Sequence, residues 1–586
     1  MVRSGEVNKP PVFTPSKAEA RGHSPPPADP AIPRSTTGSQ SHPESVVLSG
    51  DPLDIVADIP PPEAELIHSG KDNSDPKAFR GAASPRHSTR RVAVNAIGGG
   101  AANFVKIALQ LLMLPLMAHL LGPREFGIYA LAFPTVAFFT TLADGGLSAS
   151  LARESETSTL VWSTAFWLLV GVGIALAVIV SGWGLVLSML AHEPGVSTLM
   201  SFLSLSFVPI AASVLPSARL TRQGRLLVFA GADMSSAIVG ALVAVTLAVS
   251  GWGAKSLAAQ YVTGFLIRAV ILNAVAFVKP TLEFELSSLR DHLSTGSSLL
   301  GGRLSDFAGR LMENLFYGRS FGAAALGLFT FANQVPRFVC EAASGPIWGA
   351  LYAHALGEDE RRVTALHRKL VHLLASLVFP AAFLLSATAP EIFRFILGPK
   401  WDEASTLLRI LIPFYALHVT AAQSGAVLLA HGRGWLLFWL TVILTVGRVV
   451  AVCAGPWIGQ IGVAYGIGLA EVTYAALMFG APTWKTGSSP IPMLQGLVAP
   501  ILSGAVAGLV GYWLARVHPQ SLPWIAFTIS IGGLAYIMLM LLIQGKTLMS
   551  DLDSIRQMLV LRHSQKIQGR DRASFSARWN RSDLGR

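Results

Sequence analysis

Five polar residues interrupt an apolar stretch near the middle of the chain: Arg303, Asp306, Arg310, Glu313 and Asn314. On a helix turning by about 100° per residue they share an arc of roughly 100°. The spacings 303/306, 306/310 and 310/313 alternate basic with acidic groups, so neighbours at i,i+3 or i,i+4 are placed to pair. Two expectations stay open: a ladder that neutralises itself, or the wall of a wet cavity with at least one guanidinium left for an anion. A charge facing lipid costs several kcal/mol, which turns such a stripe toward the interior of a bundle. Asn95, Asn103, Lys106 and Gln110 form a second polar face earlier in the chain, and Asn333, Arg337 and Glu341 a third. Guanidinium matches phosphate through its bidentate fork, so an anionic ligand is expected. Candidates for holding it are Arg303, Arg310, Lys106, Asn103, Gln110, Asn314 and Arg337. Asp306, Glu313 and Glu341 are candidates for an ion- or proton-coupled switch, since buried carboxylates readily change their proton affinity. Of the lone charges, Asp144 and Asp233 read as interfacial, and Arg268, Arg448 and Glu471 as partners between helices.

The elements that must position these residues are membrane spans. The chain is 52% hydrophobic and 13% charged, against about 25% charged in soluble domains. Between Asn95 and Gln544 it reads as successive apolar runs, each near the ~20 residues a bilayer crossing needs. Backbone groups in lipid must be satisfied within the segment, and continuous rather than alternating apolar runs select helices over a barrel. The expected fold is an all-α polytopic membrane protein of about fourteen transmembrane helices. The polar runs fall on expected spans at about 97–120, 127–146, 296–318 and 325–349, with the ninth span at about 370–390. Glu391–Leu408 reads as amphipathic and interfacial. The short loops that fall inside when the amino terminus is cytoplasmic hold twelve basic residues against seven in the outer loops, so both termini are expected in the cytoplasm. The same bias accounts for the net charge of +11 without a nucleic-acid partner.

An ungapped self-match at an offset of 200 divides the spans. Leu121-Gly122, Phe126-Gly127-Ile128-Tyr129 and Ala132 lie over Phe321-Gly322, Leu326-Gly327-Leu328-Phe329 and Ala332. At the same offset Asn103 falls on Arg303, Lys106 on Asp306 and Gln110 on Arg310. Two six-helix units around a central site are a common way to build a transporter. The expected division is a disordered tail over 1–92, pseudo-repeated lobes over 93–290 and 291–484, two further spans over 485–545 and a cytoplasmic tail over 546–586.

Several chemistries lack their residues. No GxxxxGK[ST] loop, no HExxH and no Cys/His cluster of ligand spacing occurs, so neither a metal nor a cofactor is expected and an enzyme is disfavoured. Cys340 and Cys453 read as buried thiols inside spans, not as a disulfide framework. His354, His367 and His372 read as a solvated face beside a basic loop, and Gly432-Arg433-Gly434 as a tight turn between spans.

Leu120-Leu121-Gly122-Pro123-Arg124-Glu125-Phe126-Gly127-Ile128-Tyr129-Ala130, its repeat around Gly322 and Gly327, and Leu397-Gly398-Pro399-Lys400-Trp401-Asp402-Glu403-Ala404 occur in that order. Over roughly 91–545 the chain resembles the polysaccharide transporters, Wzx-type O-antigen and exopolysaccharide flippases, of the multidrug/oligosaccharidyl-lipid/polysaccharide (MOP) exporter superfamily. The resemblance implies a V-shaped cavity between two lobes. It also implies export of an undecaprenyl-diphosphate-linked oligosaccharide across the bacterial inner membrane by alternating access. Arg303 and Arg310 would hold the diphosphate, and membrane lipids, a polymerase and a chain-length regulator would be the neighbouring partners. A cation-coupled drug exporter of the same superfamily and a membrane polysaccharide polymerase are the alternatives.

Overall fold

The computed structural model describes residues 89–144, 147–152, 159–356, 359–482, 491–517, 521–546 and 549–550. The expected tails over 1–92 and 546–586 lie almost wholly outside the described residues. The rest is helical: α1 (Thr89–Asp144), α2 (Leu147–Leu151), α3 (Thr159–Ala191), α4 (Gly195–Ser204), α5 (Phe207–Arg222), α6 (Leu226–Val249), α7 (Lys255–Ala276), α8 (Arg290–Ala355), α9 (Glu360–Ile396), α10 (Asp402–Ala422), α11 (Ser424–Ala430), α12 (Gly434–Cys453), α13 (Gly455–Gly480), α14 (Ile491–Val517) and α15 (Leu522–Lys546). No strand occurs among the described residues. Among the described residues, eleven helical stretches are long and apolar enough to cross a membrane. The chain is thus an all-α multi-pass membrane protein.

The number falls short of the expected spans partly because two crossings can share one continuous helix. α1 runs for 56 residues and α8 for 66, each through a single non-helical residue. Gly122 has φ 76° and ψ 170°, and Gly322 has φ 84° and ψ 168°. A side chain disfavours that positive-φ region, so glycine supplies the reversal. The two glycines are the pair matched at the offset of 200, so the sequence repeat is a repeat of backbone conformation. Gly398 (φ 85°, ψ 176°), before α10, and Gly459 (φ 71°, ψ 174°), inside α13, take the same turn. The region 391–408 is built from three pieces: α9 continues to Ile396, the chain reverses at Gly398, and α10 begins at Asp402.

The two halves cross at their closest between the limbs that follow Gly122 and Gly322. A Cβ on Gly127 would land on the carbonyl oxygen of Ala323, and one on Gly327 on the carbonyl oxygen of Pro123. The contact is reciprocal at the repeat offset, as a two-fold-related crossing requires. Hydrogen at Cα lets the backbones meet there, as small residues do at helix crossings in membranes.

α14 and α15 both rest on α9. Gly504 and Gly508 accept Phe383 at their open Cα faces, and the Tyr536 hydroxyl donates to the Ser376 carbonyl at 2.7 Å. This packing corrects the reading of the histidines before the ninth span. His367 and His372 are buried, the first meeting Ser424 Oγ at 3.3 Å and the second Gln544 Oε1 at 2.8 Å. α9 begins ten residues before the expected span, so both lie on a covered helix face and not in a solvated loop. Cys340 is buried as expected, whereas Cys453 is exposed at the end of α12.

Candidate functional site

A cavity of about 690 Å³ lies between the two limbs of α1, α6 and α7 on one side and the two limbs of α8 on the other. Near the glycine crossing its wall is apolar and aromatic, with Met117, Phe126 and Tyr129. Its charges lie farther away. Lys106 precedes Gly122 by sixteen residues, about 24 Å of helix, and Arg310 precedes Gly322 by twelve, about 18 Å. Among the described residues, four cations line the cavity, Lys106, Arg268, Arg310 and Arg337, and two carboxylates, Asp233 and Glu313.

Of the residues singled out from sequence, Lys106, Gln110, Arg310, Glu313, Asn314 and Arg337 line this one space. The side chains of Asn103, Arg303, Asp306 and Glu341 lie outside the described residues, although their backbones continue α1 and α8. Periodicity therefore brought together residues from three limbs. It did not anticipate what each one touches. Asn314 donates from Nδ2 to the Ala130 carbonyl at 2.8 Å, tying α8 to the second limb of α1. Glu313 pairs not along its own helix with Arg310 but across to α12. Arg448 donates to its Oε1 from NH2 at 2.8 Å and to its Oε2 from Nε at 3.2 Å. A third donor, Asn333 Nδ2, stands 3.4 Å from Oε1. The Arg310 guanidinium lies over the Phe307 ring, 6.0 Å from its centroid.

Sequence reasoning missed Asp233 and Arg268 as cavity residues. Asp233, expected to be interfacial, forms an ion pair with Arg268, its Oδ1 lying 3.1 Å from Nε, and its Oδ2 stands 3.9 Å from Lys106 Nζ. Arg268 also stacks over Phe229, 4.8 Å from the ring centroid. The available signal was that the apolar runs of α6 and α7 carry one lone charge each, of opposite sign; a lone acid on one span and a lone base on the next are candidates for each other. Arg448 and Glu471, expected as partners between helices, do meet, with NH1 to Oε1 at 2.7 Å.

A family model described as "Polysaccharide biosynthesis protein" matches residues 116–406. The succinoglycan biosynthesis transport protein ExoT of Rhizobium meliloti is 25% identical over 460 residues, which cover 76% of this chain and 92% of that protein. The lipopolysaccharide biosynthesis protein WzxC of Escherichia coli is 24% identical over 390 residues, 64% of this chain and 78% of that one. Among solved structures, the lipid II flippase MurJ in an inward closed conformation superposes with a TM-score of 0.62 at 15% identity, covering 77% of this chain and 99% of that chain. An inward-facing MATE family multidrug transporter of the MOP superfamily gives a TM-score of 0.53 at 17% identity. In sequence the chain is thus similar to polysaccharide biosynthesis transport proteins, and in fold to MurJ and to the MATE transporter.

The motifs that carry the family likeness build the end of the bundle at the glycine crossing, not the charged part of the cavity. After Gly122, Arg124 pairs with Glu193 at 2.9 Å, and Glu125 Oε2 accepts the Ala254 amide at 2.8 Å, just ahead of the first turn of α7. That amide is one of the donors a helix start leaves unpaired. Phe126 sets its ring edge-on to Phe331 at 5.9 Å and Trp401 at 6.0 Å. Phe331 in turn meets Phe393 at 5.4 Å. Trp401, from the third motif, is 1% exposed. Arg319, just before the second reversal, donates to the Leu190 carbonyl at 3.0 Å. With the Gly127–Gly327 crossing, these contacts hold the bundle together at one end.

Proposed function

We propose that this chain belongs to the polysaccharide transporter family of the MOP superfamily and is a lipid-linked oligosaccharide flippase of the bacterial inner membrane, a transporter and not an enzyme. Its substrate would be an undecaprenyl-diphosphate-linked repeat unit for O-antigen, exopolysaccharide or capsule synthesis. The observation that carries the reading is the cavity itself: among the described residues four cations and two carboxylates line it, with a close backbone crossing at one end of the bundle. A cavity of that sign favours a diphosphate and disfavours the cationic compounds a drug exporter would carry.

Both termini lie in the cytoplasm in this account, so the glycine crossing faces outward. The headgroup enters from the cytoplasmic side and its diphosphate meets Arg310, Arg337 or Lys106, with Arg303 and Asn103 on the same helix faces and Gln110 and Asn314 alongside. The polyprenyl tail stays in lipid. Residues 93–290 and 291–484 then rock as two lobes, parting Phe126 from Phe331 and Gly127 from Gly327. Residues 485–545 ride with the second lobe through α9. Asp306, Glu313 and Glu341 are the candidates for coupling the motion to an ion. A polymerase and a chain-length regulator receive the product.

The test is genetic and chemical together. In a strain depending on this chain, Arg310→Ala combined with Arg337→Ala should abolish polymer export while lipid-linked repeat units accumulate, with the protein still inserted. Unchanged export in that double variant would sink the assignment.

A further inference from the structure

Four ionisable side chains from four helices form a cluster that starts at the cavity wall and runs behind it: Glu313 of α8, then Arg448 of α12, Glu471 of α13 and His418 of α10. Arg448 bridges both carboxylates, and Glu471 turns its second oxygen, Oε2, to His418 Nδ1 at 2.8 Å. Glu313, Glu471 and Arg448 are each nearly closed to solvent, whereas the His418 side chain is 22% exposed.

The charges of this cluster do not cancel as drawn. A guanidinium stays protonated in proteins, so two carboxylates around one arginine leave a net charge of minus one. An uncompensated buried charge is costly, and one proton removes it. His418 is built to take that proton. The carboxylate oxygen of Glu471 accepts from Nδ1–H, which leaves Nε2 as the position for a second proton. The imidazole also lies nearly parallel between the rings of Tyr415, 5.5 Å away, and Tyr474, 5.0 Å away. Aromatic faces on both sides favour a cation between them.

We propose that His418 is a proton-binding site whose occupancy sets the anion affinity of the cavity. The ionisable groups facing it are Glu471 and Tyr474 from α13, Arg448 from α12, Glu313 from α8 behind Arg448, and Tyr415 on α10 itself. α9, which also packs on α10, contributes His367, and this meets Ser424 further along the chain. With a proton on Nε2, Glu471 is neutralised from the histidine side and Arg448 is left chiefly to Glu313. Without it, Arg448 is shared between two full carboxylates. The surplus negative charge is then felt at Glu313, which lines the cavity together with Arg310 and Asn333. The cavity therefore binds an anion in the protonated state and releases it on deprotonation. By reciprocity, an anion in the cavity draws a proton onto His418.

The inference rests on the flippase reading only for the identity of the anion. Full-length protein in lipid nanodiscs is titrated with farnesyl diphosphate at about pH 6 and about pH 8, the range in which histidine titrates. Wild-type affinity should fall about tenfold with rising pH, a coupling of ordinary size, although the probe itself gains negative charge over that range. His418→Gln fixes the surplus charge in place and should bind weakly at both pH values. Glu471→Gln removes the surplus and should bind tightly at both. A wild-type pH profile kept by His418→Gln, or weak binding by Glu471→Gln at low pH, overturns the proposal. If wild type binds the probe at neither pH, the flippase reading fails. The histidine is then judged by NMR of ring-labelled protein. A resonance lost in His418→Gln should titrate at lower pH in Glu471→Gln, and a resonance indifferent to Glu471 overturns the proposal.

Discussion

The two halves of the bundle handle intramembrane charge in opposite ways. In the first half Lys106, Asp233 and Arg268 stand on the cavity wall, each about a quarter or more exposed. In the second half Glu313 reaches the wall but is packed with Arg448 and Glu471 behind it, all three side chains no more than 10% exposed. The first group is wet, loosely joined and carries one cation more than it has carboxylates. The second is dry, tightly joined and carries one carboxylate more than it has guanidinium. Near water a charge is cheap and is free to meet a ligand, whereas in a dry site every charge must be answered by another. The first cluster therefore suits ligand contact and the second suits holding helices together or storing a proton.

Removing Arg448 should do the most damage. Arg448→Ala leaves Glu313 and Glu471 buried without their shared partner, and losing one member of a buried pair costs about 3–5 kcal/mol. A large fall in the thermal midpoint of detergent-solubilised protein is expected, and a midpoint like that of wild type would erase the distinction between the clusters. Glu313→Gln should cost less, about 1–3 kcal/mol, because Arg448 keeps Glu471 and the remaining cluster is neutral without a proton. The same change removes a negative charge from the cavity and should tighten binding of a diphosphate probe. Asp233→Asn should have the smallest effect on stability, about 1 kcal/mol or less, since its ion pairs are part-exposed and discounted by solvent. A destabilisation by Asp233→Asn as large as that of Arg448→Ala would show that the wall cluster is structural as well.

Much of the fold was legible in the sequence because its physics is one-dimensional. Apolar runs mark spans whatever their neighbours are, and the offset of 200 marked two reversals that prove to be the same turn at Gly122 and Gly322. Where helices begin was less legible, since α9 extends ten residues ahead of its expected span and carries His367 and His372 under cover. The site was half legible. Helical periodicity placed Lys106, Gln110, Arg310, Glu313, Asn314 and Arg337 on one cavity, because a polar face in a membrane has few other places to point. Pairing was not legible where partners sit far apart in the chain. Nothing local says that Glu313 reaches Arg448, 135 residues on, instead of Arg310 one turn away. Nor does spacing reveal that the family motifs serve the closed end, with Glu125 meeting the Ala254 amide near the start of α7 and Phe126 set against Trp401.

The most direct test of the account is reconstitution. Purified protein in liposomes carrying a polyprenyl-diphosphate-linked oligosaccharide should move the sugar between leaflets, read by its loss from an impermeant lectin or oxidant. That movement should disappear in Arg310→Ala with Arg337→Ala but persist in Asp233→Asn. No movement by wild type, or uptake of a cationic dye in its place, would contradict the central claim.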